Sequence, residues 1–230
     1  MSSEVTGRAD LHMHSTVSDG AATPAELAKV LLGSGLSVAA ITDHDSIEGG
    51  LMVREILGGR GPEIVVGTEV TTADGHLLAL YVEEDVPAGL DARRTVEIIH
   101  DMGGLAVAAH PYFPRKSLGD LAGGLPFDAV EVANGTPLGE VANSRAATSL
   151  GASARARVGG SDAHLPGAVG HVLTHFPGRT AADLRLAIER GQTWTAFEWG
   201  KHLKVALPML WWMATSSLRG RAKPSARVPV

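Results

Sequence analysis

Short apolar runs alternate with stretches of helical period along most of the chain. The runs cover residues 8–14, 37–45, 63–70, 105–111, 128–135, 156–164 and 171–176, and they end in polar residues. Helix signals fill the gaps, the alternation expected of an α/β domain with a mainly parallel sheet. An eighth run, 76–82, follows 63–70 across Ala73-Asp74-Gly75, whose turn chemistry predicts a hairpin. Thr23-Pro24-Ala25-Glu26 supplies an N-cap, a first-turn Pro and an acidic partner for the cap, so a helix starts there and closes at the glycines of LAKVLLGSG. Further helices are predicted over 46–57, 91–102, 137–150 and 180–190. No repeat or linker interrupts the chain before a shift of composition near Gly200. It therefore divides into a domain over 1–200 and a tail over 201–230 with an apolar, Trp-containing helix and a basic end.

A chain of 230 residues that is 44% hydrophobic can bury a substantial core, which excludes disordered and fibrous classes. Cysteine is absent, so disulfides, thiolate zinc sites and a cysteine nucleophile are excluded, and any metal must be held by His, Asp and Glu. The N-terminal MSSEVTGRAD has no apolar core of a signal peptide, and a cytoplasmic location is expected. Residues 1–200 hold fourteen of the twenty Lys and Arg and all twenty-five Asp and Glu, a net −11, while the last thirty residues hold six cations and no acid. So acidic a body disfavours tracking of long nucleic acid, although a cationic metal pocket can still take a small anion.

The ten His matter because of where they fall. His12 and His14 are two apart, so along a strand both rings face one side and can grip one ion. Asp19 follows five residues on; His44 sits inside Thr42-Asp43-His44-Asp45; Glu69 ends its run; His76 opens the hairpin partner; His110 ends the next run; and Asp162 with His164 repeats the same-face spacing. A lone His at a strand end is more often a hydrogen-bonded structural residue than a ligand. Nine ligand-type residues at the carboxyl ends of strands are another matter, because active sites of parallel α/β folds gather there.

Taken in order, Asp10-Leu11-His12-Met13-His14-Ser15 with Asp19-Gly20, Ile41-Thr42-Asp43-His44-Asp45, Gly67-Thr68-Glu69, Ala109-His110-Pro111, Glu131-Val132-Ala133-Asn134-Gly135 and Gly160-Ser161-Asp162-Ala163-His164 resemble the polymerase and histidinol phosphatase (PHP) superfamily of metal-dependent phosphoesterases. The resemblance spans roughly residues 8–195. It implies a distorted (β/α)7 TIM-like barrel with two or three divalent transition-metal ions on its C-terminal rim. By that likeness His12, His14, Glu69 and Asp162 hold one ion, Glu69 bridges to a second held by His76 and His110, and Asp19, His44 and His164 hold a third. Nitrogen and oxygen ligands without thiolate suit zinc, manganese or iron alike.

Paired ions of this kind activate water against a phosphoryl group, so no protein nucleophile is required. Asp43 and Asp45 are candidate catalytic residues, as orienting groups or proton carriers, or else they cap the helix at 46–57. Ser15 and Asn134 are further rim residues. Arg115 is the chosen phosphate-binding candidate, ahead of Lys116, Arg145 and Arg157, although exposed Arg and Lys are commonly just solvated. His171 and His175 are expected to pack or cap, and His100 and His202 lie outside the constellation.

The apolar stretch 205–218, flanked by Lys201 and Lys204 and by Arg219, Arg221, Lys223 and Arg227, is shorter than the roughly twenty residues that span a bilayer. Packing on the barrel is the commoner fate of such a helix. Trp211 and Trp212 beside cations also suit peripheral contact with a membrane interface. The final ten residues are expected to be unstructured. The expected activity is hydrolysis of a phosphate monoester of a small metabolite or nucleotide, with no long nucleic acid as partner and the oligomeric state open. One alternative is a nuclease trimming short oligonucleotide ends, which needs a basic or aromatic track that ten aromatics and an acidic body do not readily supply. The other is an inactive metal-binding module, disfavoured by the intact carboxylates.

Overall fold

The apolar runs become strands buried on both faces, which explains why they read as continuous apolar segments. The structure, a computed structural model, describes residues 5–114, 116–151 and 154–216. Arg115 and the final ten residues lie outside the described residues. Strands β1 (Thr6–Asp10), β2 (Val38–Ile41), β3 (Glu63–Thr71), β4 (His76–Leu80), β5 (Leu105–Ala108), β6 (Ala129–Asn134), β7 (Arg157–Gly160), β8 (Val172–Pro177) and β9 (Trp194–Phe197) form one sheet. Its order is β7-β6-β5-β4-β3-β2-β1-β8-β9.

Alternate residues of these strands face opposite sides of the sheet and supply three apolar clusters. Val38 and Ala40 of β2, Leu78 and Leu80 of β4, and Leu105 and Val107 of β5 meet in a cluster with Phe176. Their neighbours Ala39 and Ile41 pack with Leu27 and Leu31 of helix α1 (Pro24–Leu32) and Val53 of α2 (Glu48–Leu57). Leu77, Ala79, Ala106 and Ala108 pack with Val96 and Ile99 of α3 (Ala92–Asp101). The sheet is nearly closed, as a distorted TIM-like barrel. Thr174 on β8 donates to the Gly159 carbonyl on β7 and accepts from the Gly159 N–H, at 2.8 and 2.7 Å. The buried Asp10 carboxylate accepts from the Ser161 and Gly170 N–H groups at 2.8 and 2.7 Å.

Four of the eight strand pairings are antiparallel, so the sheet is mixed rather than mainly parallel. The hairpin is one cause: β4 returns beside β3 with Thr71 opposite His76 and then pairs antiparallel with β5. The other is β8, which runs against β1 and carries the unforeseen β9 at its edge. Trp194-Thr195-Ala196-Phe197 has the aromatic and β-branched character of a strand, but pairing with β8 is what makes it one.

Helix α1 opens with the expected capping box of Thr23 and Glu26, and α5 (Ala181–Glu189) with another of Thr180 and Asp183. The predicted 137–150 helix is interrupted: α4 (Glu140–Arg145) passes into a wider π-helical turn over Ala146–Leu150. Neither Asp43 nor Asp45 caps α2, whose N-cap is Ile47; the Ile47 N–H is taken by Asp85 at 2.9 Å. Helix α6 (Trp199–Ser216) follows β9. Val205 and Met209 bury one face of α6 against the α1 cluster, while Trp199, Leu203, Leu207 and Trp211 are exposed. Among the described residues no helix is long and apolar enough to cross a membrane.

Candidate metal centre

Just past β1 the chain stays extended. Met13 bridges to Ala163 and sends its side chain into the core, so His12 and His14 project together to the other side. The same bridge sets Asp162 and His164 on either side of Ala163. Asp162 and His110 both bend the backbone into positive φ, 51° and 26°, as they leave β7 and β5. Non-glycine residues rarely adopt this conformation, and it persists where surrounding contacts enforce it.

Glu69 stands at the centre. Its Oε1 lies 2.7 Å from His76 Nδ1 and 2.8 Å from His110 Nε2. Its Oε2 lies 3.2 Å from His12 Nε2, 3.4 Å from His14 Nε2 and 3.3 Å from His44 Nδ1. Asp162 Oδ1 is 3.3 Å from His14 Nε2, and at the half-open mouth Asp19 Oδ1 is 3.3 Å from His164 Nε2. The hairpin register explains His76: opposite Thr71, it shares a strand face with Glu69.

All nine sequence-derived candidates thus meet in one place. Four sets have ligand atoms within 4.8 Å of one another: His14, Asp19, His44 and His164; His12, His110 and Asp162; His12, His14 and Glu69; and His44, Glu69 and His76. Among the described residues, buried ring nitrogens of His12, His14, His44, His76 and His110 find no hydrogen-bond partner. Such orphaned imidazole nitrogens facing carboxylates fit divalent ions, and the donor set is the nitrogen-oxygen type that zinc, manganese and iron accept.

The electrostatics agree. Burial alone would raise the Glu69 carboxyl, but the His44 and His12 rings outweigh it and hold it well below its ordinary range. Asp162 is likewise lowered against burial, by His12 and His14. Burial would lower His164, yet Asp19 and Asp162 raise it to about 9. Protons held this tightly between rings and carboxylates are the ones that a bound cation displaces.

A further carboxylate, Glu131, lies behind the site. Its Oε1 is 3.2 Å from His12 Nδ1, and its Oε2 accepts from the His110 N–H at 2.8 Å and from Asn134 Nδ2 at 3.0 Å. This orients His12 with Nε2 toward Glu69. The sequence signal was a charge inside the wholly buried strand Ala129–Asn134, since a buried charge demands partners. Thr136 plays a comparable part, donating to Asp162 at 2.7 Å.

Asp43 is buried with both oxygens engaged: Oδ1 accepts from the Ser15 N–H and Ser18 Oγ at 2.8 and 2.7 Å, and Oδ2 from Ser15 Oγ at 2.7 Å. It clamps the loop between His14 and Asp19. Asp45 is exposed and accepts from the Thr71 N–H at 2.6 Å. Of the other described cations, Lys116 lines the cleft, whereas Arg145 stacks over Tyr112 at 4.1 Å and Arg157 donates to the Gly151 carbonyl. His171 is held between the Gly135 and Ala168 carbonyls, His175 stacks on Trp194, and His100 pairs with Asp128, all away from the cleft.

The cleft is a cavity of about 250 Å³. Glu69, His110, Asp162 and their neighbours form one side, and Phe113 with Met209, Trp212 and Met213 of α6 contributes an apolar wall that the sequence reading did not foresee.

The nitrogen-oxygen cluster on the rim of a TIM-like barrel is that of a metal-dependent hydrolase, and the family match makes the class one that acts on phosphate esters. The PHP domain matches residues 10–141, more than half of the chain, and a PHP-associated region matches 140–193, so the protein belongs to the PHP family. An uncharacterized protein of Methanocaldococcus jannaschii, MJ1587, is 40% identical over 139 residues, 55% of this chain and 81% of that one. A phosphoribosyl 1,2-cyclic phosphate 1,2-diphosphodiesterase of Eggerthella lenta is 38% identical over 85 residues, 34% of this chain and 32% of its own length. The fold is shared with a two-domain protein from Bacteroides vulgatus containing a predicted PHP-like metal-dependent phosphoesterase, at a TM-score of 0.66 and 21% identity, covering 84% of this chain and 65% of that one.

Proposed function

We propose that the protein hydrolyses phosphate monoesters of small metabolites or nucleotides, using two or three zinc, manganese or iron ions held by His12, His14, Asp19, His44, Glu69, His76, His110, Asp162 and His164. The observation that carries this reading is the make-up of the cleft: Asp19, His44, Glu69, His76, His110, Asp162 and His164, seven of the nine ligand residues, line it, and Lys116 is the sole Lys or Arg among its described lining residues. Such a cleft presents ligands for the ions to a single phosphoryl group and gives a long polyanion no row of cations.

Ions bound there would acidify a water and absorb charge on the phosphoryl oxygens. The chain's own groups do the rest. Glu131 and Asp43 hold His12 and the Ser15–Ser18 loop in place, Lys116 offers charge at the rim, and Phe113 with α6 keeps bulk water from one side. Overall the water oxygen bonds to phosphorus, the ester P–O bond breaks, and the alcohol leaves with a proton.

The test is a screen of phosphorylated metabolites with the purified protein in manganese, repeated after chelation and set against oligonucleotides of ten or more residues. Turnover of small monoesters that chelation abolishes is expected. Preference for the oligonucleotides, or no hydrolysis with any of the three metals, overturns the reading.

A further inference from the structure

Helix α6 lies beyond both family matches, which end at residue 193, yet it forms part of the cleft. Met209, Trp212 and Met213 are spaced i, i+3 and i+4, so they share one helix face, and that face lines the same cavity as Glu69 and Asp162.

Met209 both packs in the α1 cluster and lines the cleft, and the helix is seated further by residues that do not face the cleft. Val205 is buried among α1 residues, the His202 ring stacks on His171 at 5.2 Å and 25°, and Lys201 Nζ donates to the Val169 carbonyl. These three residues seat the helix without lining the cleft. Phe113, reached from the turn after β5 and set edge-on to His110 at 6.2 Å, adds a second aromatic surface.

Building on the phosphoesterase reading, we propose that α6 and Phe113 form an apolar subsite beside the metal centre that selects monophosphate esters whose alcohol carries a flat aromatic group, a nucleobase or an aryl ring. Two physical reasons converge. A polyol would set several hydroxyls against the Met209, Met213 and Phe113 side chains and the faces of Trp212, which carry few polar atoms to meet them, and unpaired polar groups are costly when desolvated. A planar ring gains instead from stacking on Trp and from the polarisable sulfur of Met. Lys116 is the one cation among the described lining residues, so a second phosphate has no comparable anchor there.

Adenosine 5′-monophosphate and ribose 5-phosphate isolate the effect, because the scissile ester is the same and only the base differs. With the metal-loaded full chain, kcat/KM is expected to favour the nucleotide by about tenfold or more, the range of a stacked base. Trp212→Ala should bring that ratio close to one, and Trp212→Phe should keep most of it. Metal content is measured alongside to show that each variant holds its ions.

A wild-type ratio at or below one, or a ratio unchanged in Trp212→Ala, overturns the aromatic subsite. Hydrolysis of ribose 5-phosphate or glycerol phosphate without hydrolysis of the nucleotide does the same and leaves the phosphoesterase reading standing. Failure of every monoester with every metal overturns both.

Discussion

On one side of the cleft, Glu69 and Asp162 sit among six imidazoles delivered by five strand ends, the site braced from behind by Glu131, Thr136 and Asp43. On the other side, Met209, Trp212 and Met213 come from a single helix held largely by packing. The polar wall tolerates little error, because unpaired buried ionisable groups are expensive and coordination is directional. The apolar wall needs only shape, since dispersion and burial are not directional. The comparison teaches that chemistry and selectivity are separable here: damage to the first wall should cost turnover, and damage to the second should cost discrimination.

Glu69→Gln is the most severe way to test that division. It removes the charge shared by five imidazoles, and turnover should fall by about a hundredfold or more, with bound metal reduced. Steady-state kinetics and elemental analysis read both effects, and activity within about twofold of wild type would place Glu69 outside the catalytic centre.

Glu131→Gln probes the support behind the wall. The amide can still meet His12 but without charge, so metal affinity should weaken by about ten- to a hundredfold. Metal titration against a competing chelator measures it. Unchanged affinity would mean that His12 needs no charged partner.

On the apolar side, Met209→Ala empties a buried site and should lower stability by about 2 kcal/mol, the low end for such truncations, while ion content stays the same. Thermal denaturation with elemental analysis checks this. Loss of metal in this variant would show that the two walls are coupled.

The smallest expected effect is on the pH dependence of the metal-free protein. His164 is raised from 6.5 to about 9, so its stabilising contribution is complete below 6.5 and is lost as pH climbs through 9. Glu69 and Asp162 are lowered, so theirs is present above the ordinary carboxylate range and is lost as pH falls through their depressed values. Denaturation in chelator should therefore show greatest stability between about pH 4.5 and 6.5, the span between the unperturbed carboxylate and imidazole values. His12 and His110 are raised as well, so His164→Asn should make the alkaline limb shallower without removing it. A limb that keeps its slope would assign it to another group.

What could be read from the sequence alone was whatever depends on neighbours along the chain. His12 with His14, and Asp162 with His164, lie on one face because extended backbone has a period of two, and Thr23 with Glu26 caps α1 because a helix's first turn brings them together. The unbroken apolar runs likewise announced strands covered on both faces.

Tertiary structure decided the rest. Glu131 meets His12 across 119 residues, and Asp43 turned out to clamp Ser15 and Ser18 rather than cap the helix that follows it. Lys116 reaches the rim because the His76 N–H bonds its carbonyl, while Arg145 is drawn off by Tyr112 and Arg157 by Gly151. Sequence alone could name α6 as an apolar helix with two plausible resting places. Its seat beside the metal centre depends on the shape of a surface that α1 and the turn at 166–168 create only once the barrel has closed. Local spacing follows from covalent geometry and backbone period, whereas the partners of a buried charge or an apolar face are chosen by which distant surfaces packing brings within a few ångströms.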